Sequence, residues 1–517
     1  MRSRFGAAPS TAMSNSDNLR PATSTGQIAA GGALLLTGTL IGQLLLLAAT
    51  VLLARKLGPD RYGLYALATT TVLTIMPIAG LALPTTVVRF IAVATGADKP
   101  EDISGAMASA LVVALIASVA FSVVLALAAP LLSTHLLHEP RLTSLLRWIA
   151  LALPALVFMD VIVATARALN LMLHAAIAPM LRSLSLLILV IVVTLEGHLT
   201  ALSAVNIYTI SALVALVVVA VAGARRAAGV IKPPWHWQIR GITRYSLPLT
   251  FSTLLYTLWL RVDRYVVAGL FGTAETGRYA LVATAAIYLS FMHSALVTAF
   301  LPGLADRYHG NDFEGAGFLF NEVTKLDCVL TFPIALTATL VWKDALHLIG
   351  GSYEAALPAA VLLSIGVYLN VLTGPTEGLL MVTDHQGIEM LNAVVALGTG
   401  IGADIGLGKL FGLGGVAAGA AVAATTLNIL HLVEIRRFYG FHPFNADHIK
   451  FTAVTSLVLI GSAFMGVYGG AALRWLLLLV CLGIYARIAW TSYRQQLLRM
   501  IRERRAIPTD PDTQSAG

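Results

Sequence analysis

The sequence predicts an all-α polytopic membrane protein of about fourteen transmembrane helices, arranged as two parallel-repeat six-helix lobes around a central cavity plus two C-terminal helices. Three observations predict it: an apolar composition, a succession of long apolar runs, and an internal repeat. Of the 517 residues, 57% are hydrophobic and 12% are charged, and the mean hydropathy is +0.81. Soluble globular chains carry about 25% charged residues, so ordinary soluble enzymes, disordered chains and nucleic-acid binders are excluded. The net charge of +8 fits orientation against anionic lipid, because the basic residues form no stripe interleaved with base-stacking aromatics.

The elements follow in order. Residues 1–26 are polar and rich in Ser and Thr, with no short apolar core before a small-residue cleavage site, and read as a cytoplasmic tail. Apolar runs begin near residues 27, 62, 104, 142, 173 and 200 and make an N-lobe of helices 1–6 over residues 27–223. A cytoplasmic linker with Arg225, Arg226, Lys232 and Arg240 occupies residues 224–241. Runs from near 242, 277, 318, 355, 386 and 412 make a C-lobe of helices 7–12 over residues 242–435. Two more runs, near 448 and 472, give helices 13–14 over residues 448–495, and residues 496–517 form a basic cytoplasmic tail. Each run is helical because irregular backbone leaves polar groups unsatisfied in lipid. An even count puts both termini on one side, and that side holds the larger share of the 34 Lys and Arg, so both termini face the cytoplasm; twelve crossings would pass the same test. Cys328 and Cys481 are the only cysteines; both lie in apolar runs, which rules out a disulfide framework or a CxxC metal site.

Residues 54–70 align without a gap onto residues 268–284 at a constant offset. Ala54/Ala268, Gly58/Gly272, Gly63/Gly277, Tyr65/Tyr279, Ala66/Ala280, Leu67/Leu281 and Thr70/Thr284 are identical. Both segments fall on the turn between the first and second helices of a six-helix unit, and an offset of six spans makes the two units parallel. Two parallel lobes related by an axis along the membrane normal are a transporter design that rocks about a central cavity. The 44 glycines offer small faces on which helices pack closely or slide.

Three stretches carry a family likeness. Residues 52–92, LLARKLGPDRYGLYALATTTVLTIMPIAGLALPTTVVRFIA, resemble the opening of the polysaccharide-biosynthesis (oligosaccharidyl-lipid) flippases, in the superfamily that also holds multidrug extruders and peptidoglycan-precursor flippases. Residues 244–272 are similar to that family's seventh helix, with Pro248 near its start and Asp263 before its end, and LTGPTEGLLMVTDHQG, residues 372–387, resembles the end of the tenth. The connection after the tenth helix departs from the pattern, containing Asp384 and His385 and no Lys or Arg. The resemblance implies a bacterial inner-membrane flippase that moves undecaprenyl-pyrophosphate-linked oligosaccharide to the outer leaflet by alternating access. It is expected to work beside membrane lipid and the polymerase and chain-length regulator of the same pathway.

A pyrophosphate needs fixed positive charge, preferably Arg, whose planar donors match phosphate oxygens. Arg at bilayer depth costs about 2.5–3.5 kcal/mol on insertion scales, so each intramembrane Arg is a candidate site residue. The candidates are Arg89, Arg182, Arg261 and Arg264. On one helix Arg261 and Arg264 stand about 60° apart, so a single anion can touch both. Asp263 can instead pair with Arg264 and lock helices together, and Arg89 and Arg182 can snorkel to headgroups.

Asp160, deep in LPALVFMDVIVATAR, is the first candidate for coupling to protons or sodium, alongside Asp263. Its alternative role is pairing with Arg167 or with an Arg of a neighbouring helix. Asp327, Glu377, Asp404, His174 and His293 are the other titratable groups in or near spans. No GxxxxGK[ST] loop is present, so the chain hydrolyses no ATP, and no cofactor is expected. His135, His138 and Glu139 form HLLHE, which reads as exposed loop polarity and not as a metal motif. Three rival functions remain, one of them a peptidoglycan-precursor flippase, separable by whether its loss is lethal. A cation-coupled drug or organic-cation antiporter of the same fold would want acidic, aromatic walls, and a membrane glycosyltransferase or polymerase would want a soluble lobe that no loop is long enough to form.

Overall fold

The computed structural model describes residues 25–97, 99–227, 236–382, 386–440, 442, 444 and 446–487. The tails expected at 1–24 and 496–517, most of the linker, and Lys232, Asp384 and His385 lie outside the described residues. Among the described residues there is no strand. The helices are α1 (Thr25–Ala79), α2 (Leu83–Gly96), α3 (Pro100–Leu131), α4 (Leu142–Ala150), α5 (Ala152–Ala168), α6 (Met172–Leu195), α7 (Ala201–Ala227) and α8 (Ile239–Trp259). There follow α9 (Val262–Leu289), α10 (Phe291–His309), α11 (Phe313–Ile349), α12 (Leu357–Val371), α13 (Thr376–Val382), α14 (Gln386–Tyr439) and α15 (Ala446–Tyr468). A last helix, α16, covers residues 471–487.

Among the described residues, ten helical runs are long and apolar enough to cross a membrane. Three of them, 60, 48 and 53 residues long, are about two to three times the length of one crossing. Each contains one glycine whose positive φ interrupts the helix: Gly58 (φ 72°), Gly272 (φ 81°) and Gly412 (φ 64°). Only a residue without Cβ takes that conformation at little cost. These glycines divide the long runs, which is why ten runs accommodate more than ten crossings. Alanine is frequent in the interior beside larger apolar residues, and many large apolar side chains, such as Leu127 (76% exposed) and Leu195 (82%), point outward, as lipid-facing surfaces do.

The chain forms two compact units, Met1–Gly277 and Arg278–Gly517. In the first, α1 lies along α6 through a GxxxG pair. A Cβ on Gly38 would stand 2.8 Å from the Ala176 Cβ, and one on Gly42 would stand 3.3 Å from the Met180 Cα. Met159 and Val163 of α5, Ala175 and Ala178 of α6, and Ala215 and Val219 of α7 close a core beside this seam. In the second unit, Phe332, Leu336 and Leu340 of α11, Tyr368 and Val371 of α12, Leu459 of α15 and Leu478 of α16 form the main core.

The repeat is visible in the backbone. Gly58 and Gly272, equivalent in sequence, have matching conformations (ψ 169° and −174°). Gly63 and Gly277 make reciprocal contacts: a Cβ on Gly63 would strike the Thr273 carbonyl, and one on Gly277 the Pro59 carbonyl. Pro59 and Thr273 are themselves repeat equivalents, so the two turns pack about a local two-fold axis.

Candidate functional site

The seventh-helix segment is discontinuous. α8 ends at Trp259 and α9 begins at Val262, leaving Leu260 and Arg261 in a turn whose N–H groups donate to the carbonyls of Tyr256 and Leu258, both at 3.0 Å. Non-helical backbone is tolerated at membrane depth only where protein or a hydrated cavity surrounds it. Asp263, in the first turn of α9, accepts from the Arg264 backbone N–H at 2.7 Å and from Arg264 Nη1 at 3.3 Å. The same Nη1 donates to the Leu260 carbonyl at 3.3 Å. Arg264 is buried and engaged in sealing the break. The Arg264 N–H donates to the Arg261 carbonyl at 3.2 Å, so the two arginines stand one tight turn apart across the break.

Arg261 is in a different situation. It is half-buried, and its guanidinium makes no hydrogen bond or ion pair with a described residue. It lies within electrostatic reach of Arg264, Tyr208, Tyr265 and Asp263. Tyr265 is held by hydroxyl contacts to Thr74 at 3.2 Å and Thr71 at 3.4 Å on α1.

Arg182 of α6 joins the same neighbourhood through Tyr208 of α7. Its Nη1 donates to the phenol oxygen at 3.3 Å, and its guanidinium carbon is 5.3 Å from the ring centroid, a cation–π distance. Tyr208 is buried edge-on against Tyr65 of α1, with centroids 6.4 Å apart. Asp160 of α5 is within electrostatic reach of Arg182 and Arg167 but forms no ion pair with a described residue. Arg182, Arg261 and Arg264 thus meet two carboxylates, Asp160 and Asp263, leaving one positive charge in excess.

Arg89, the fourth candidate, has other partners. It is exposed on α2, donates to the Tyr245 hydroxyl at 2.9 Å and stacks 4.5 Å from that ring's centroid. Glu139, read from sequence as plain loop polarity, belongs to a clamp. Arg141 reaches Glu139 through Nε and Nη2 at 2.8 and 2.9 Å, Asp60 through Nη1 and Nη2 at 2.8 and 3.1 Å, and the Thr273 hydroxyl at 3.3 Å. Its hydrogen bonds hold the Glu139 carboxyl below its ordinary value, and the two carboxylates together push the Arg141 guanidinium up. In the second unit, Asp327 meets His293, and Asp404 is buried against Gly419.

Comparison with known proteins places this arrangement. The profile of a family described as polysaccharide biosynthesis protein matches residues 28–306, more than half of the chain. The chain belongs to that family. No curated protein matches it in sequence. Among solved structures, the lipid II flippase MurJ in an inward closed conformation is similar with a TM-score of 0.72 and 13% identity, covering 89% of this chain and 99% of that one. An inward-facing multidrug resistance MATE family transporter of the MOP superfamily gives 0.67 and 15%, over 77% and 94%. A MOP superfamily transporter from Pyrococcus furiosus gives 0.59 and 15%, over 80% and 95%. This member of the polysaccharide biosynthesis family therefore has the MOP superfamily fold and is a multi-pass membrane protein.

The family member's tyrosines escaped the sequence reading, which weighed only charged groups at depth. Tyr65, Tyr208 and Tyr265 look like ordinary apolar-run residues. Their signal lay in the hydroxyl, because a buried phenol needs a polar partner, and an intramembrane Arg is the partner a cavity wall offers.

Proposed function

We propose that the protein is a flippase that carries undecaprenyl-pyrophosphate-linked oligosaccharide across the bacterial inner membrane by alternating access, without covalent chemistry, with both termini cytoplasmic. The product would pass to a polymerase and its chain-length regulator for surface polysaccharide assembly. One observation carries the reading: Arg261 is half-buried with a guanidinium that no described residue engages, in a cluster with Arg182, Tyr208 and one positive charge in excess. A pyrophosphate supplies the acceptors such a group lacks. An organic cation would meet net repulsion there, which disfavours the antiporter reading.

The test is Arg261→Ala in the producing cell. A charge-assisted hydrogen bond contributes about 1.5–3 kcal/mol, so transport should fall about ten- to hundredfold. Surface polymer should disappear while lipid-linked repeat units accumulate in the inner leaflet and the protein remains inserted. Normal polymer would refute the assignment. Arg264 is the wrong residue to probe, because its removal breaks a buried ion pair with Asp263 and so weakens the fold as well as the site.

A further inference from the structure

The second unit holds a buried group of titratable side chains for which the pyrophosphate site has no use. His293 of α10 meets the Asp327 carboxylate of α11 through Nδ1, and Asp327 Oδ1 accepts from Thr331 at 3.2 Å. On α14, His431 Nε2 stands 2.8 Å from Glu389 Oε2, and its Nδ1 faces the Thr376 hydroxyl at 3.3 Å. Asp327 and His431 are 0% and 1% exposed, so neither pair is a surface ion pair. Glu377, next to Thr376 at the start of α13, lies within electrostatic reach of Glu389, His431 and His293 and so links the two pairs.

Three carboxylates face two imidazoles. With both imidazoles protonated, one negative charge stays uncompensated in a buried setting, where an unpaired charge is destabilising by several kcal/mol; a single further proton removes it. Four other charged or titratable groups on the elements around it have partners of their own. Lys325 pairs with Glu322 at 2.6 Å, Glu434 accepts from Asn392 at 2.8 Å, Arg307 donates to the Gly315 carbonyl at 2.7 Å, and His448 faces the Leu372 carbonyl at 3.3 Å. Arg436 and Arg437, at the far end of α14, are exposed and not buried with the group. A metal ion suits the arrangement poorly, because Asp327 and Glu389 each face an imidazole and do not converge, and no cluster of three His, Cys, Asp or Glu among the described residues is placed to hold one.

Glu377 also sits at a break in the helix. α12 ends at Val371 and α13 starts at Thr376, with Gly374 between them at φ 74° and in contact with Thr324. A small change at that break would move Glu377 relative to both histidine pairs.

We propose that Asp327, His293, Glu377, His431 and Glu389 form a site that binds one proton, with Glu377 as the group that carries it, and that its occupancy couples transport to the proton gradient. The coupling rests on the transporter reading; the proton site does not. The test uses the full-length protein in lipid and infrared difference spectra between pH 8 and pH 6, where exposed carboxylates of ordinary pKa, about 4, stay ionised. The wild type should gain the carbonyl band of a protonated carboxylic acid. Glu377→Gln should remove one component of that band, Glu377→Asp should keep the component at a shifted position, and the same component should persist in Asp160→Asn, whose own carboxyl is a separate, half-buried group. An unchanged band in both Glu377 variants, or no band in the wild type, overturns the site. If Glu377→Gln does not stay monodisperse, the Glu377→Asp shift alone decides.

Coupling is read in proteoliposomes loaded with a pH-sensitive dye, with undecaprenyl pyrophosphate as the probe. Probe movement accompanied by proton movement in the wild type, and loss of the proton movement in Glu377→Gln, are expected. Probe movement without proton movement overturns the coupling. No probe movement in the wild type, with the infrared band present, overturns the flippase reading and leaves the proton site standing.

Discussion

Arg141 shows how much one guanidinium can organise when all three of its nitrogens are engaged. It forks onto Asp60 and Glu139 and touches Thr273, joining three turns that are far apart in sequence. Exposed ion pairs contribute about 0.2–1 kcal/mol each, and bidentate networks lie at the top of that range. Because the folded-state pKa of Glu139 is depressed, its contribution is present above the unfolded value of about 4.3 and is lost as the pH falls through the lower folded value. Glu139→Gln should therefore melt at a lower temperature than the wild type near pH 7, and the two melting curves should converge below about pH 4; a gap that persists in acid would contradict the assignment. The sequence made such charges easy to locate, because they are scarce in an apolar chain. It could not say which were already engaged: Arg264 is occupied by Asp263 and Leu260 and Arg261 is not, and the difference arises from a two-residue break that no residue type announces.

Between elements, the turn after the first helix and its repeat equivalent behave as a matched pair. Gly58 and Gly272 were legible as a repeat because a positive φ demands glycine, and Gly63 and Gly277 because a close backbone approach does. The break between α1 and α2 was not legible, since Leu81 (φ 45°) and Ala82 (φ 44°) are ordinary helix formers held in the left-handed region by what surrounds them. The reciprocal contact has a measurable consequence. Gly63→Ala pushes its Cβ into the Thr273 carbonyl and Gly277→Ala pushes into that of Pro59, so each substitution forces the same two turns apart. Each should destabilise the protein by about 1–3 kcal/mol, the range for overpacking. Once the turns have separated for one methyl group, the second has less to displace, so the double variant should lose less than the sum of the two singles. Additive losses in thermal unfolding would show that the two contacts are independent.

For the molecule as a whole, the all-helical membrane fold was readable from the apolar runs and the repeat, but the weight the last two helices carry was not. α15 and α16 look like additions to a twelve-helix plan, yet they are tied to the second unit by polar contacts across long stretches of sequence. Thr455 accepts from the Tyr368 hydroxyl at 2.7 Å, Ser462 meets Thr339 at 2.9 Å, the Val467 carbonyl accepts from Lys343 at 3.3 Å, Tyr485 donates to the Val329 carbonyl, and buried Arg474 pairs with Asp344. Residues 87 to 156 positions apart leave no periodic trace of such pairing. In a bilayer, lipid tails would replace the apolar contacts of Leu459 and Leu478 at little cost, because hydrocarbon is as apolar as leucine. The polar partners would find no replacement, and each stranded group costs about 1–3 kcal/mol, more where it is charged. Removing residues 446–517 should therefore prevent the protein from being recovered as a folded, monodisperse species in detergent. Arg474→Ala alone should lower the melting temperature by stranding Asp344, and Arg474→Ala with Asp344→Ala should recover part of that loss, since the stranded charge is gone. A truncated chain as monodisperse and as heat-resistant as the full one would make the last two helices dispensable to the fold and leave these contacts without structural weight.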